Sequence, residues 1–246
     1  MKEDIILDDV KKIETQVKEL LSQNITHGLG RSLRNLQKEI QLFNNFMEGK
    51  NKWENSKSQF DAKKIQIGGG SHVLDGFLNV DIVPPADLVW DVREGLPFAE
   101  NGTEYIFSEH FLEHIDYPTS VKKVISECFR ITKDGGRIVI GVPDSELVLK
   151  AYNTKDDGYY KEIMSRWFSK RDCLNDFNTY IDLVNYHFRD QDDHEKYNPH
   201  FWAYDFEKME SLLKNAGFKQ IEKWDFDNSI ANPKREWGSL YVTAIK

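Results

Sequence analysis

The chain has 246 residues, 39% hydrophobic and 13% aromatic, with a formal net charge of -8, enough for one α/β domain and a smaller appendage. The acidic balance counts against an electrostatic grip on a nucleic-acid backbone, which needs clustered Lys and Arg, and no apolar run approaches the ~20 residues of a membrane span. Cys128 and Cys173 suggest no disulfide framework and Met1 to Asp4 lack a signal-peptide layout, so a cytoplasmic protein with neither a nucleic-acid partner nor a membrane span is expected.

From about Leu7 to Met47 apolar positions recur at intervals of three and four, in Val10, Ile13, Val17 and Leu20 and again in Leu29, Leu33, Leu36, Ile40, Phe43 and Met47. This predicts two amphipathic helices with a break near "HGLG". So narrow a stripe either pairs with a second copy, giving a homo-oligomer through residues 7–47, or docks on the main domain. The polar stretch "EGKNKWENSKSQFDAKK" (Glu48 to Lys64) reads as a linker with Trp53 and Phe60 as anchors. The extension and linker thus occupy 1–60 and the main domain 61–246.

Strands are predicted at Lys64 to Ile67, Leu78 to Ile82, Leu88 to Asp91, Tyr105 to Ser108 and Arg137 to Val142. A helix from about Ser120 to Ile131 presents Val121, Val124, Ile125 and Cys128 on one face, with "KDGG" (Lys133 to Gly136) as its glycine stop. Alternation of strand and helix implies a mostly parallel sheet covered on both faces. Later, "DFEKMESLLKNAGF" (Asp205 to Phe218) repeats the helix-and-glycine grammar, and two strands follow near Gln220 to Trp224 and Leu240 to Ile245. Joined without a helix, these two form an antiparallel pair at the sheet edge.

Between these parts lies an insertion, about Ser145 to Ala203, crowded with rings such as Tyr152, Tyr159, Tyr160, Phe177, Tyr180, Tyr186 and Tyr197. Such a composition makes a folded lid or pocket wall rather than a disordered linker.

Gly68, Gly69 and Gly70 follow the first strand, where an open parallel sheet binds its ligand. Three glycines also occur in plain tight turns. Asp81, at the end of the second strand, is placed to grip a ribose diol, and Asp91, ending the third, to meet an adenine amino group. Asp81 follows Gly68 by only 13 positions, 68 to 81, where a dinucleotide fingerprint has its acid about 20 residues on. There is no complete GxGxxG and no Walker lysine, so the first helix is stunted and a ligand without phosphates suits the turn.

Together "IGGGSHVLDGFLNVDI", "WDVREGLPFAENGTEYIFSEHFLEHI", "CFRITKDGGRIVIGVPD" and "FWAYDFEKMESLLKNAGF" resemble a class I S-adenosylmethionine-dependent methyltransferase, type 11-like, of the branch with a short first helix often associated with surface-glycan assembly. The likeness covers about Lys64 to Asp144 and Trp202 to Lys246. It implies a Rossmann-like sheet of seven strands, mostly parallel with one antiparallel strand, and S-adenosylmethionine as cofactor. It also implies cofactor contacts from Gly68, Gly70, Asp81, Asp91 and Val92, with Gly69 replacing a Cys or other small residue, and leans toward a sugar or sugar-linked metabolite as the O-methyl acceptor. The ring-rich insertion suits a flat aromatic or polyketide acceptor equally well, and a peptide or protein side chain stays open. Ser108, at the end of the fourth strand, is added to the cofactor set.

A methyl donor of this kind needs an aligned acceptor and sometimes a base. Candidates cluster in "SEHFLEH", where His110, Glu113 and His114 would share one face of a helix at i, i+3 and i+4, either as base and support or as braces for the helix end. The same side chains, with His187, His194 or His200 from the insertion, can reach one divalent metal, an option held open but not favoured. His187, His200 and Trp202 are the expected acceptor-pocket residues. Two other classes fit parts of the pattern: a nicotinamide-dependent sugar oxidoreductase, and a non-catalytic scaffold that oligomerises through its N-terminal helices.

Overall fold

Strands β1 (Lys64–Ile67), β2 (Leu78–Asp81), β3 (Leu88–Val89), β4 (Thr103–Glu109), β5 (Thr132–Pro143), β6 (Lys219–Lys223) and β7 (Ser239–Ile245) form one sheet in the order β3-β2-β1-β4-β5-β7-β6. The computed structural model describes residues 2–56, 60–168, 178–189 and 199–246. β1 to β5 pair in parallel, and β7 runs antiparallel to both β5 and β6, with Arg137 opposite Ile245 and Pro143 opposite Ser239. The expected late antiparallel pair therefore closes one edge.

The central strands are apolar because both faces are covered. Ile65, Ile67, Val80, Ile106, Ile138 and Ile140 are buried in the main core with Val121, Val124, Ile125 and Cys128 of helix α3 (Thr119–Ile131) and Met209, Leu212 and Leu213 of α7 (Phe206–Ala216). Residues of the opposite face, including Phe107, Val139 and Tyr241, join a second cluster under Trp224 and Phe226. α7 starts on an Asp205 side chain that accepts from Lys208 N and stops at Gly217 with φ 111, the start and stop its sequence predicts.

The glycine stop expected for α3 does not occur. Thr132, already extended, returns its N–H to the Cys128 carbonyl, and its hydroxyl donates to the same oxygen at 2.6 Å. The helix end is thus satisfied without glycine, and β5 begins at once. "KDGG" instead lies within β5 beside the C-terminus, with Gly135 N bonded to Lys246 O and Lys246 N to Gly136 O. β3 is shorter than expected because Asp91 leaves the strand to cap a 3-10 turn, Val92–Glu94.

The N-terminal reading needs two corrections. Helices α1 (Lys2–Leu21) and α2 (His27–Ser56) break at residues 22–26, and "HGLG" lies inside α2. Gly28 and Gly30 fall in its first turn, with Gly30 N bonded to Thr26 O. At the other end α2 continues through most of the expected linker, because that part is docked. Asn45 Nδ2 donates to Ile82 O at 3.0 Å and Lys52 Nζ to Asp87 O at 2.9 Å. Phe46 meets Trp90 edge to face at 5.1 Å, and Trp53 meets Phe98 at 5.4 Å. α1 packs back on α2 through buried Val17 and an Asn44 to Glu14 hydrogen bond. Ile6, Ile13 and Leu20 of α1, and Leu29 and Leu36 of α2, remain exposed, spaced by seven residues within each helix.

The insertion contributes α4 (Ser145–Thr154), α5 (Asp157–Ile163) running into a π-helical turn, Met164–Phe168, and α6 (Tyr180–Arg189), with residues 199–203 following without helix. Ile163, Leu183 and Tyr186 form its own core with Tyr159, Tyr180 and Trp237. Phe177, His194 and Tyr197 lie outside the described residues.

Gly49 decides how closely α2 approaches the sheet, since a Cβ there would stand 1.7 Å from the Val89 carbonyl oxygen. In an ordinary helix interior Gly→Ala stabilises by about 1 kcal/mol. Gly49→Ala is expected to reverse that sign and cost about 1–3 kcal/mol, as overpacking does; a melting temperature equal to or above that of the unaltered protein would refute the docking.

Candidate active site

The parallel register sets the carboxyl ends of four strands side by side: Ile67 pairs with both Val80 and Ser108, and Asp81 with Val89. A cavity of about 650 Å³ opens over these ends, within the about 300–1,000 Å³ of small-molecule sites. Gly68, Gly69, Gly70, Asp81, Asp91 and Val92 all line it. Ser108 does not; it is buried within β4.

No helix follows β1, and residues 68–77 hold turns, so the turn is even shorter than the spacing suggested. Its three glycines serve different needs. A Cβ on Gly68 would strike the Phe111 ring at 2.2 Å, and one on Gly69 would lie 2.6 Å from Asn79 Oδ1. Those two glycines admit protein neighbours. Only at Gly70, φ +54, would a Cβ meet open space. Asp81 Oδ2 accepts from Gly70 N and Oδ1 from Val83 N, each at 3.0 Å. Each carboxylate oxygen can accept more than one bond, so capacity for a diol remains. Asp91 is more committed. Its Oδ1 accepts from Arg93 N and Nε, and its Oδ2 from Arg93 Nη2 at 2.7 Å, so any contact from this carboxylate to a base competes with the Arg93 pair.

At the far wall the expected helix beginning at His110 is absent. β4 ends at Glu109, His110 takes φ +50, and Leu112–His114 form a single 3-10 turn. A left-handed non-glycine residue costs about 1–3 kcal/mol and is held by its surroundings. Here His110 N continues the sheet to Gly141 O at 2.8 Å, while His110 Nε2 meets Ser239 Oγ at 2.7 Å. The kink nevertheless brings His110 Nδ1 to 3.5 Å from Glu113 Oε1. Burial holds the His110 imidazole well below its ordinary pKa. It is therefore neutral and a weak base.

Glu113 is 1% exposed, and neither of its carboxylate oxygens has a hydrogen-bond partner among the described residues. Burial raises its pKa above the usual carboxylate value. Over it stands His200, whose ring meets that of His114 edge to face at 4.9 Å. The two segments are tied by Phe201 N donating to Glu113 O at 2.8 Å. His110, Glu113, His114 and His200 all line the cavity. His187 does not: it sits behind His200, its Nε2 3.1 Å from Ser145 Oγ, and burial pushes its pKa down to about 3. Its contribution is the backbone carbonyl that meets His200 Nδ1 at 2.7 Å. Trp202 is also absent from the lining and stacks on Tyr117 at 4.5 Å.

Several lining residues escape the sequence reading. Lys38 and Leu42 of α2 close one side; Phe111, Arg166, Asn232, Lys234 and Arg235 shape the rest, beside Tyr186 of the ring-rich insertion expected as a pocket wall. Lys38 and Leu42 carry no sequence signal beyond a helical period. The loop of Asn232 to Arg235 is held by Glu109, which accepts from Asn232 N at 3.0 Å and from the Tyr241 hydroxyl at 2.6 Å. Arg235 Nη1 donates to the Glu109 carbonyl at 2.9 Å and lies 3.5 Å from its Oε2. Burial and this carboxylate push the Tyr241 phenol upward.

Residues 80–140 match a family model described as a methyltransferase domain. No curated protein matches by sequence. Among solved structures the chain is similar to a SAM-dependent methyltransferase from Thermotoga maritima, described as a possible histamine N-methyltransferase, at 14% identity and a TM-score of 0.45 over 83% of this chain and 98% of that one. A SAM-dependent methyltransferase from Methanosarcina mazei is similar at 15% identity and a TM-score of 0.47, over 76% and 93%.

Glu109→Ala would leave the Tyr241 hydroxyl and Asn232 N without their acceptor. Removing one member of a buried charged network is expected to cost about 3 kcal/mol, a fall in Tm of about 6–12 °C for a chain of this size. A loss under 2 °C by calorimetry would show that Glu109 does not hold the loop.

Proposed function

We propose that this enzyme, a class I S-adenosylmethionine-dependent methyltransferase by its family match and the order of its sheet, methylates a hydroxyl of a small acceptor that carries negative charge, with a sugar or sugar-linked metabolite of surface-glycan synthesis as the acceptor class. One observation carries the charge assignment. The cavity is lined by Lys38, Arg93, Arg166, Lys234 and Arg235 against Asp81, Asp91 and Glu113, in a chain whose overall charge is -8. Arg93, Arg166 and Arg235 already meet Asp91, Glu162 and Glu109, but a guanidinium carries five donors, and cations gathered at one cavity of an acidic protein favour an anionic ligand. The likeness of the "IGGGSHVLDGFLNVDI" region to the glycan-associated branch supports the sugar.

The residues present fit the cofactor. Gly70 opens onto free space beside an Asp81 whose oxygens retain acceptor capacity, and Asp91 and Val92 stand further along the same wall. When bound, the cofactor supplies a sulfonium methyl that is already activated, so the protein's task is chiefly alignment. Asp81 would hold the ribose hydroxyls, and Gly70 would let the methionine portion approach. Lys38 and Leu42, brought by α2, would shield the ribose end from water. Arg166, from the insertion, and Lys234 and Arg235, from the loop before β7, would seat the acceptor's charge. The acceptor hydroxyl would then face the cluster around Glu113.

Two measurements test this reading. Asp81→Ala should weaken binding of S-adenosylhomocysteine at least ~10-fold, the loss of charge-assisted hydrogen bonds of about 1.5–3 kcal/mol each; unchanged affinity in calorimetry would remove Asp81 from the ribose. Incubation with methyl-labelled cofactor and a panel of sugar phosphates, nucleotide sugars, neutral sugars and peptides should place label on the charged sugars. Label confined to peptides, or appearing equally on neutral sugars, would overturn the acceptor assignment.

A further inference from the structure

We propose that Glu113, His114 and His200 form a binding site for a divalent transition metal at the acceptor end of the cavity. One ligand atom from each of the three lies within 4.8 Å of the others. Donors around a tetrahedral ion with bonds of about 2.1 Å stand roughly 3.4 Å apart, so small side-chain rotations bring all three onto one ion.

Proximity alone would be a weak argument, since His and Glu side chains often cluster without an ion. Two further observations point to one. The first is Glu113 itself. Its carboxylate is 1% exposed, and neither oxygen is hydrogen-bonded among the described residues. A buried carboxylate in that condition is costly, and the cost is relieved either by a proton or by a compensating cation. The second is the tautomer of His200. A carbonyl can only accept, so His200 Nδ1, 2.7 Å from the His187 carbonyl, carries the ring proton. Its Nε2 is left with a lone pair. An imidazole oriented by a backbone carbonyl through its other nitrogen is the arrangement that metal-binding histidines adopt.

The donor set decides the class of ion. One carboxylate and two imidazoles suit the borderline ions from manganese to zinc better than magnesium or calcium, which prefer all-oxygen shells. Three protein ligands leave at least one coordination position open. Because the three residues line the cavity, that position faces the space where an acceptor would lie. An acceptor hydroxyl bound there would have its pKa lowered by the ion, lose its proton to solvent, and present an alkoxide oxygen; the oxygen–methyl bond then forms as the sulfur–methyl bond breaks. This last role rests on the methyl-transfer reading. The binding site does not, as it follows from the side chains alone.

The test therefore reads metal binding without cofactor or acceptor. Full-length protein stripped with a chelator is titrated with Zn²⁺ by calorimetry and with Co²⁺ by visible absorption. One equivalent should bind, with Co²⁺ bands indicating nitrogen and oxygen ligands at low coordination number. Glu113→Gln and His200→Ala should each weaken Zn²⁺ binding at least 10-fold, while His27→Ala, at the start of α2, should leave it unchanged. Glu113→Gln keeps the volume and removes the buried charge, so it decides the matter if His200→Ala fails to fold. Absence of a stoichiometric Zn²⁺ or Co²⁺ site, or binding unaltered in Glu113→Gln, would overturn the proposal. S-adenosylhomocysteine affinity measured on the same stripped protein keeps the two readings separate: retained affinity with no metal site removes the metal and leaves the methyltransferase reading standing.

Discussion

Glu109 is buried where β4 leaves the sheet, and its carboxylate must find donors there. It takes them from the Tyr241 hydroxyl and the Asn232 backbone, while its own carbonyl accepts from Arg235. These contacts draw β7 and the loop before it over the cavity. They also fix the point from which His110 departs. With its N–H still bonded to Gly141 O, His110 turns away through a left-handed backbone, and that kink leads the chain to the buried Glu113. A strand end satisfied in this way sets the far wall, and the chemistry of the wall follows from it.

The near wall depends on a different constraint, the approach of α2 to β3. Gly49 lets the helix lie against the Val89 carbonyl, and Asn45 and Lys52 bond backbone oxygens of the sheet edge. One consequence is structural, since the edge strand is covered and cannot template pairing with another chain. Another is functional. The same helix carries Lys38 and Leu42 to the cavity, so the N-terminal extension helps build the site instead of merely preceding it. The insertion does likewise from the opposite side through Arg166, Tyr186 and His200.

Three glycines in a row illustrate how a correct motif can have a partly mistaken rationale. They were expected to make room for a ligand. Two of them make room for the protein, Gly68 for Phe111 and Gly69 for Asn79 and Gln66, and only Gly70 opens outward. The same holds for the aspartates. Asp81 has capacity left for a ligand, whereas Asp91 is largely absorbed by Arg93. Likewise "KDGG" looked like a helix stop but serves the start of a strand, because Thr132 had already satisfied the helix end.

What the sequence determined by itself is what short-range periodicity and turn chemistry encode. The positions of seven strands, the start and stop of α7, the stunting of the first helix and the Asp81 spacing could all be read from windows of ten to fifteen residues, since local backbone geometry and side-chain period specify them. Tertiary structure decided which distant side chains meet. The sequence offers His187, His194 and His200 alike as companions of Glu113, and nothing near Glu113 in the chain decides that His200 will stand over it, that His187 will contribute a carbonyl instead of its ring, or that Lys38 will reach the cavity from a helix read as an appendage. Those meetings depend on the kink at His110, the seat at Gly49 and the buried acid at Glu109. Each is a long-range packing solution, and periodicity along the chain carries no record of it.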